Sequence, residues 1–233
     1  LRDPDELARL VPDGSPYSMN LEGMLFEFRV TDERVKLDIN SAAEDSFIKL
    51  FTTNGVDVTD AEYLAAAIAD WADPDEIERA SGAELPAYES AGLAVGPANR
   101  SFAMTEELLQ VLGMSWELYS RIAPGISVHS GANIPDPAYA PAEALLALPD
   151  MTSEDAVNFV AERHSQESLS DMNLTLPNGE VAMARGRGLT YSILAKATLP
   201  NGIWDQVEAT VRLGGNAQGA PYRILRWNEG FHH

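Results

Sequence analysis

Two hydrophobic periodicities in a fixed order constrain this chain more than any other feature. Alternation with a period of two marks GMLFEFRVTDERVKLDI, Gly23 to Ile39, and returns only after Leu189; between these segments the spacing is helical. Met24, Phe26 and Phe28 alternate with Leu25, Glu27 and Arg29 before the polar Thr31-Asp32-Glu33-Arg34 stretch, which predicts a β-hairpin turning there. Upstream, Leu7, Leu10 and Val11 give a short helical pattern, and Pro12 to Pro16 reads as a turn. Near the other end, Leu189–Leu199, Ile203–Leu213 and Pro221–Trp227 are separated by Pro200-Asn201-Gly202 and Gly214-Gly215-Asn216, which predicts a three-stranded antiparallel meander. Strands, a helical block and strands again describe an α+β fold with a helical insertion.

The block itself is built of short helices. Ser41 with Glu44, and Thr59 with Glu62, have capping-box spacing. Leu64, Ala67, Ile68 and Trp71 fall on one helical face, and Pro74 ends that helix. A loop rich in Gly, Pro and Ala covers Ser81 to Arg100. Thr105 heads a helix broken at Gly113, Ser115 starts another that stops before Pro124, and helical patterns follow at Pro141–Leu148 and Ser153–Arg163. Residues 40–70, 102–124 and 133–163 share a plan of two short helices joined by a tight turn, the helix-hairpin-helix arrangement.

Charge narrows the function classes. With 36 acidic and 16 basic residues the net charge is −20, so a phosphate backbone is repelled and nucleic acid is not an expected partner. The absence of cysteine removes thiol nucleophiles, iron–sulfur clusters and cysteine zinc sites. There is no run of about 18 apolar residues to cross a membrane. The opening Leu1-Arg2-Asp3-Pro4 reads as a processed or trimmed end from which an N-terminal anchor is missing, and His232-His233 reads as a tag remnant.

Few constellations suggest chemistry. His129 and His164 lie near no G-x-S-x-G elbow, and His164 sits where a helix end favours a cation. Arg185-Gly186-Arg187-Gly188 lacks the lysine or third glycine of a phosphate loop and reads as a turn. Trp71, Trp116, Trp204 and Trp227 read as core or interface residues. No catalytic residue and no organic cofactor site is expected.

The densest acidic stretch is DWADPDEIERASGAE, Asp70 to Glu84. Calcium takes six to eight oxygen ligands, and a loop that folds back can supply them. Counting Asp73 as position one places Asp75 at three and Glu84 at twelve, as in an EF-hand, but Ile77 and Glu78 then occupy positions five and six, where the EF-hand has a ligand and a glycine. Two readings stay open on the residues alone: a calcium loop of another kind, or a solvated acidic helix end.

Several ordered motifs then carry a resemblance. Asp32–Asn40 resembles a D-x-x-G-K-x-N-x-N strand end; Asp70–Glu84 with Tyr88 resembles a D-W-x-D-x-D turn leading to G-A-E and an aromatic. Pro97–Phe102 fits P-x-N-x-x-F, and Glu106–Met114 fits E-E-L-x-x-V-x-G-M. Together, over about Glu22 to Arg163, they resemble the type II secretion system minor pseudopilin K family (general secretion pathway protein K). Asn133, Pro141 and Ala142 echo the family's N-x-N-T-A-P segment, with ANIPDPAYAPAE in place of the tight form.

The resemblance implies a pilin-like antiparallel sheet with a large inserted helical domain of helix-hairpin-helix (SAM-like) repeats. The expected organisation is 1–39 as the pilin-like N-terminal part, 40–165 as the insertion and 166–233 as the strands completing the sheet. It also implies calcium held by Asp73, Asp75 and Glu84, with Asp70 as a further ligand. The implied partners are the minor pseudopilins I and J, with other pseudopilins and secreted substrates beyond them. The implied location is the periplasmic face of the bacterial inner membrane, reached through a helix that this chain lacks. The implied role is that of a pseudopilus-tip subunit, not an enzyme, which initiates and caps the filament during export of folded proteins across the outer membrane. Two other classes compete: a helix-hairpin-helix nucleic-acid module, opposed by charge, and a calcium-dependent periplasmic hydrolase.

Overall fold

A computed structural model of the chain describes residues 10–165, 174–182, 188–214 and 219–230. The chain divides into two compact units, cut between Glu33 and Arg34 and between Arg185 and Gly186.

The first unit is a five-stranded antiparallel sheet. Strands β1 (Asp13–Leu21), β2 (Met24–Asp32), β5 (Thr190–Thr198), β6 (Trp204–Leu213) and β7 (Tyr222–Glu229) lie in that order across it. The meander expected near the C-terminal end is present as β5 to β7. Gly202 turns the chain between β5 and β6 at φ 85°. Gly215 and Asn216, of the second expected turn, lie outside the described residues.

The expected hairpin at Thr31–Arg34 forms elsewhere. β2 turns back onto β1 through Glu22 and Gly23, with φ 51° and 85°, and Pro12–Pro16 runs into β1 instead of closing a turn. A pair of positive φ angles gives a two-residue turn the twist of the strands it joins, so this turn fixes the hairpin despite Glu22 being an unusual choice. Thr31 and Asp32 continue β2, and Glu33–Val35 is a single 3-10 turn leading out of the sheet unit. The expected helix on Leu7, Leu10 and Val11 lies largely outside the described residues; Leu10 and Val11 belong to no element.

Register puts like with like on each face. Tyr17, Phe28, Ala195 and Val207 face one another across four strands, as do Met19, Phe26 and Ala197. Tyr17 and Phe28 stack with ring centroids 5.6 Å apart. The alternate row Ser18, Glu27, Lys196 and Gln206 is polar, so the period-two pattern sorts the sheet into an apolar and a polar face.

The second unit is mostly helical. Its elements are β3 (Leu37–Asp38), α1 (Glu44–Thr53), α2 (Val58–Ala72), α3 (Leu85–Ser90), a 3-10 helix (Thr105–Gln110), α4 (Trp116–Ile122), a 3-10 turn (Ala123–Gly125), β4 (Ile126–Ser127), α5 (Ala142–Leu145) and α6 (Ser153–Ser165). Its core gathers Leu37, Phe47, Phe51, Leu64, Ile68, Trp71, Tyr88, Phe102, Leu108, Ile122, Leu145 and Met151, all at most 3% exposed. The predicted face of α2 is buried throughout, and the helix ends just before Asp73-Pro74. Its cap, however, is Asp57, which accepts the Thr59 N–H, rather than Thr59; α1 starts after Ala43 with no side-chain cap. Ser115 caps α4 as expected by accepting the Leu118 N–H at 3.1 Å.

The unit also extends beyond 40–165. Leu37–Asp38 pairs in parallel with Ile126–Ser127, and Leu174, Leu176 and Ala182, around a Thr175–Val181 bridge, enter the helical core. These short strands are recruited by side-chain burial, so helical periodicity does not mark them.

Candidate functional site

The acidic stretch after α2 is shaped first by a proline. Pro74 disfavours helical geometry at the residue before it, and Asp73 leaves the helix in an extended conformation at φ −79°, ψ 160°. The chain then folds back so that residues 79–83 lie over the last turn of α2. Asp70, in that turn, is fully buried and its Oδ2 accepts the backbone N–H groups of Arg79 (3.3 Å) and Ala83 (2.9 Å). Gly82 makes this approach possible: a Cβ there would stand 2.0 Å from Asp70 Oδ2.

Arg79 threads its guanidinium among three carboxylates. Nε faces Asp70 Oδ1 at 3.1 Å, an ion pair without hydrogen-bond alignment. Nη2 bonds Asp73 Oδ2 at 3.0 Å, and Nη1 lies 3.5 Å from Glu44 Oε1 on α1. Asp75 is exposed and its Oδ1 accepts the Ile77 N–H at 2.9 Å, closing an Asx turn. Glu84, at the start of α3, is 3% exposed; its Oε1 is buried and without a hydrogen-bond partner, as is Asp73 Oδ1.

The field in this loop is strongly negative. Burial raises the Glu84 carboxyl above the usual carboxylate range, and the charges of Asp70, Asp73, Asp75 and Glu76 raise it further. Burial also raises Asp70, with Asp73 adding to the rise; the two N–H bonds and the Arg79 charge oppose it. Asp70, Asp73 and Glu84 are therefore brought into one electrostatic neighbourhood, while Asp75 stays at its solvent edge. As placed, no group of three or more acidic or histidine side chains among the described residues converges tightly enough to hold a metal ion. The donor set nonetheless suits a hard cation: it is all oxygen, and it includes two buried carboxylate oxygens that nothing bonds.

The loop rests on an aromatic wall. Trp71 stacks on Phe102 and tilts against Tyr88, each with centroids 6.2 Å apart. Tyr88 Oη accepts the Leu112 N–H at 3.0 Å. Asn40 holds Phe102 as a strand neighbour would: its Nδ2 donates to the Phe102 carbonyl at 3.0 Å and its Oδ1 accepts the Phe102 N–H at 2.8 Å. Asp38 ties down the adjoining loops by accepting from Asn40 N (2.9 Å) and Gly131 N (2.6 Å). The motif residues of the sequence thus meet around one loop.

Sequence reasoning missed Arg79, Glu44 and Gly82 as members of this arrangement. The signal for Arg79 was present, since it is the single basic residue between Asp70 and Glu84. Glu44 reaches the loop from another helix and had no local signal. Elsewhere, His164 lies in the last turn of α6 and His129 in the loop after β4. Arg185 to Arg187 lie outside the described residues, while Gly188 N donates to Asp32 Oδ2. Of the four tryptophans Trp71 is core; Trp116, Trp204 and Trp227 are 68%, 38% and 53% exposed.

Comparison with known proteins adds a family. A family model described as Type II secretion system (T2SS), protein K matches residues 19–131. A curated relative, Type II secretion system protein K of Pectobacterium carotovorum subsp. carotovorum, is 28% identical over 145 residues, covering 58% of this chain and 44% of that protein. A second relative, from Escherichia coli strain K12, is 27% identical over 127 residues, covering 48% of this chain and 39% of its own length. The chain spans less than half the length of either relative that it matches. Among solved structures, the crystal structure of the GspK-GspI-GspJ complex from the enterotoxigenic Escherichia coli type 2 secretion system matches at a TM-score of 0.63 and 16% identity. That match covers 94% of this chain and 84% of the other, and at such identity the likeness is one of fold.

Proposed function

Because residues 19–131 match the model of the type II secretion system protein K family, we propose that this chain is the periplasmic body of a minor pseudopilin at the tip of the secretion pseudopilus. In this role it initiates and caps the filament that serves export of folded proteins across the outer membrane. It works by assembly and not by catalysis. Its partners are the minor pseudopilins I and J, with other pseudopilins and secreted substrates as further contacts. Its site of action is the periplasmic face of the inner membrane; no helix among the described residues is long and apolar enough to cross a membrane.

The observation that carries this reading is the agreement of the family match with a fold likeness extending over nearly the whole chain, sheet and helical unit alike. The sheet is read as pilin-like, and the helical unit as helix-hairpin-helix (SAM-like) repeats. Support for the repeats comes from the turns: Gly55 between α1 and α2, Gly113 between the 3-10 helix and α4, and Asp150 between α5 and α6 all have positive φ, at 88°, 93° and 58°. A helical unit of this size on a filament subunit suits an end position, since a bulky insertion obstructs stacking beneath another subunit.

We read the loop from Asp70 to Glu84 as a calcium site, with Asp70, Asp73, Asp75 and Glu84 as its side-chain ligands. The ion would neutralise carboxylates whose mutual repulsion otherwise opposes closure of the loop. The chain's own contribution is to hold the acids together: Gly82 lets the loop close on Asp70, and the aromatic wall fixes α3, whose N-cap is Glu84.

The deciding experiment mixes the chain with the soluble domains of pseudopilins I and J, with and without calcium, and sizes the products by light scattering. A stable ternary species is expected. Three separate monomers under both conditions would sink the tip-complex reading.

A further inference from the structure

The acidic loop already contains a cation of its own. Arg79 contacts Asp70, Asp73 and Glu44, whereas Asp73 Oδ1 and Glu84 Oε1 are buried without hydrogen-bond partners. Glu84 is 97% buried by its 3% exposure and lies close enough to Asp70 and Asp73 to feel both charges. A guanidinium is always charged and has only donors, so it supplies a dication with no ligand and competes with it for the same carboxylate oxygens. Calcium held through Asp70 and Asp73, as proposed above, would take the oxygens that Arg79 now faces.

We propose that Arg79 is a resident counter-cation of this loop, and that its ion pairs with Asp70 and Asp73 and the binding of calcium exclude each other. The inference rests on the calcium reading above and adds how the metal-free loop stays closed. Only a side chain has to move. The Arg79 backbone N–H bonds Asp70 Oδ2 separately from the guanidinium, so the loop keeps its path when the head group leaves. An exit is provided as well, since the Arg79 side chain is 44% exposed and Glu44, 48% exposed, offers an outward partner at 3.5 Å. Arg79 thereby sets the metal affinity below what the bare carboxylates would give, and after calcium release its one positive charge offsets part of the repulsion among the acids.

The test is calcium titration by calorimetry of the full chain and of Arg79→Gln, with melting of both in chelator. Arg79→Gln is expected to bind calcium about fivefold more tightly, the scale of one partly exposed ion pair removed from competition. It is also expected to melt at a lower temperature than the parent when metal-free. A second measurement needs no functional variant: the Arg79 Nη2–H resonance of the parent chain, assigned by its loss in Arg79→Lys, should be slowed in exchange in chelator by its bond to Asp73 Oδ2 and exchange-broadened once calcium is saturating. Equal or weaker calcium binding by Arg79→Gln, or an Nη2–H signal unchanged while calcium is bound, would overturn the counter-cation role and leave the metal site standing. Failure of both proteins to bind calcium at millimolar concentration would remove the metal reading and this inference with it.

Discussion

At the scale of single residues, the loop shows why a position can be fixed by something other than its chemistry. Gly82 has no positive φ to explain it; what excludes a side chain is Asp70 Oδ2 lying 2.0 Å from where a Cβ would be. Gly82→Ala should therefore force the loop off Asp70 and lower stability by about 1–3 kcal/mol, measured by urea denaturation. Asn40→Ala removes two hydrogen bonds to Phe102 and leaves the N–H of this buried residue without its partner, and should cost a similar ~1–3 kcal/mol. Tyr88 supplies a pH signature. Burial, the largest cause, raises its phenol above the ordinary value of 10.0, so folding favours the neutral ring. That contribution is fully present below pH 10 and is lost as the pH rises through the folded-state value. The melting temperature of the parent should fall more steeply from pH 9 to 11 than that of Tyr88→Phe; parallel curves would show that Tyr88 does not ionise with unfolding. The acids of this site were legible as a local run, Asp70 to Glu84. The Glu44 contact was not, since it comes from a separate helix and forms only when α1 and α2 pack.

At the scale of elements, periodicity located helices and strands well and their partners less well. The alternation in β2 was clear, but the choice of which end turns back was made by Glu22-Gly23, whose backbone geometry is invisible in a pattern search that expects Asn-Gly or Asp-Gly. The polar Thr31–Arg34 run looked like a turn because its acids are buried in the fold: Asp32 and Glu33 are each 3% exposed, and Glu33 Oε1 accepts the Ser192 hydroxyl at 2.6 Å. Cap residues divide along the same line. Ser115 caps α4 as its position suggested, and Ser115→Ala should lower stability by about 1 kcal/mol, as read from thermal melts. Thr59→Ala should have a much smaller effect, because the capping oxygen belongs to Asp57. A larger effect for Thr59 than for Ser115 would contradict this assignment.

At the scale of the whole molecule, the order of strands, helical block and strands was readable because each class has its own period. The limits of the helical unit were not, because β3 and the segment around Leu174 join it by long-range burial. Calcium ligation, if confined to the Asp70–Glu84 loop, predicts an asymmetric response: added calcium should slow amide hydrogen exchange in α2, α3 and the loop between them and leave β5 to β7 unchanged. Uniform protection across the chain would argue against a single local site. The pairing of β2 with β5 has a further consequence, which concerns the making of the protein. Asp32 meets Tyr191, and Leu25 meets Thr198, across the entire helical unit. During synthesis the β1–β2 hairpin emerges first and must wait, with its β2 edge open, until the chain beyond Thr190 has been made. The helical unit, complete in sequence by Arg185, is free to fold in that interval. Its early collapse compacts the chain between β2 and β5, shortening the loop that these strands must close and the time for which a naked strand edge is exposed to other chains.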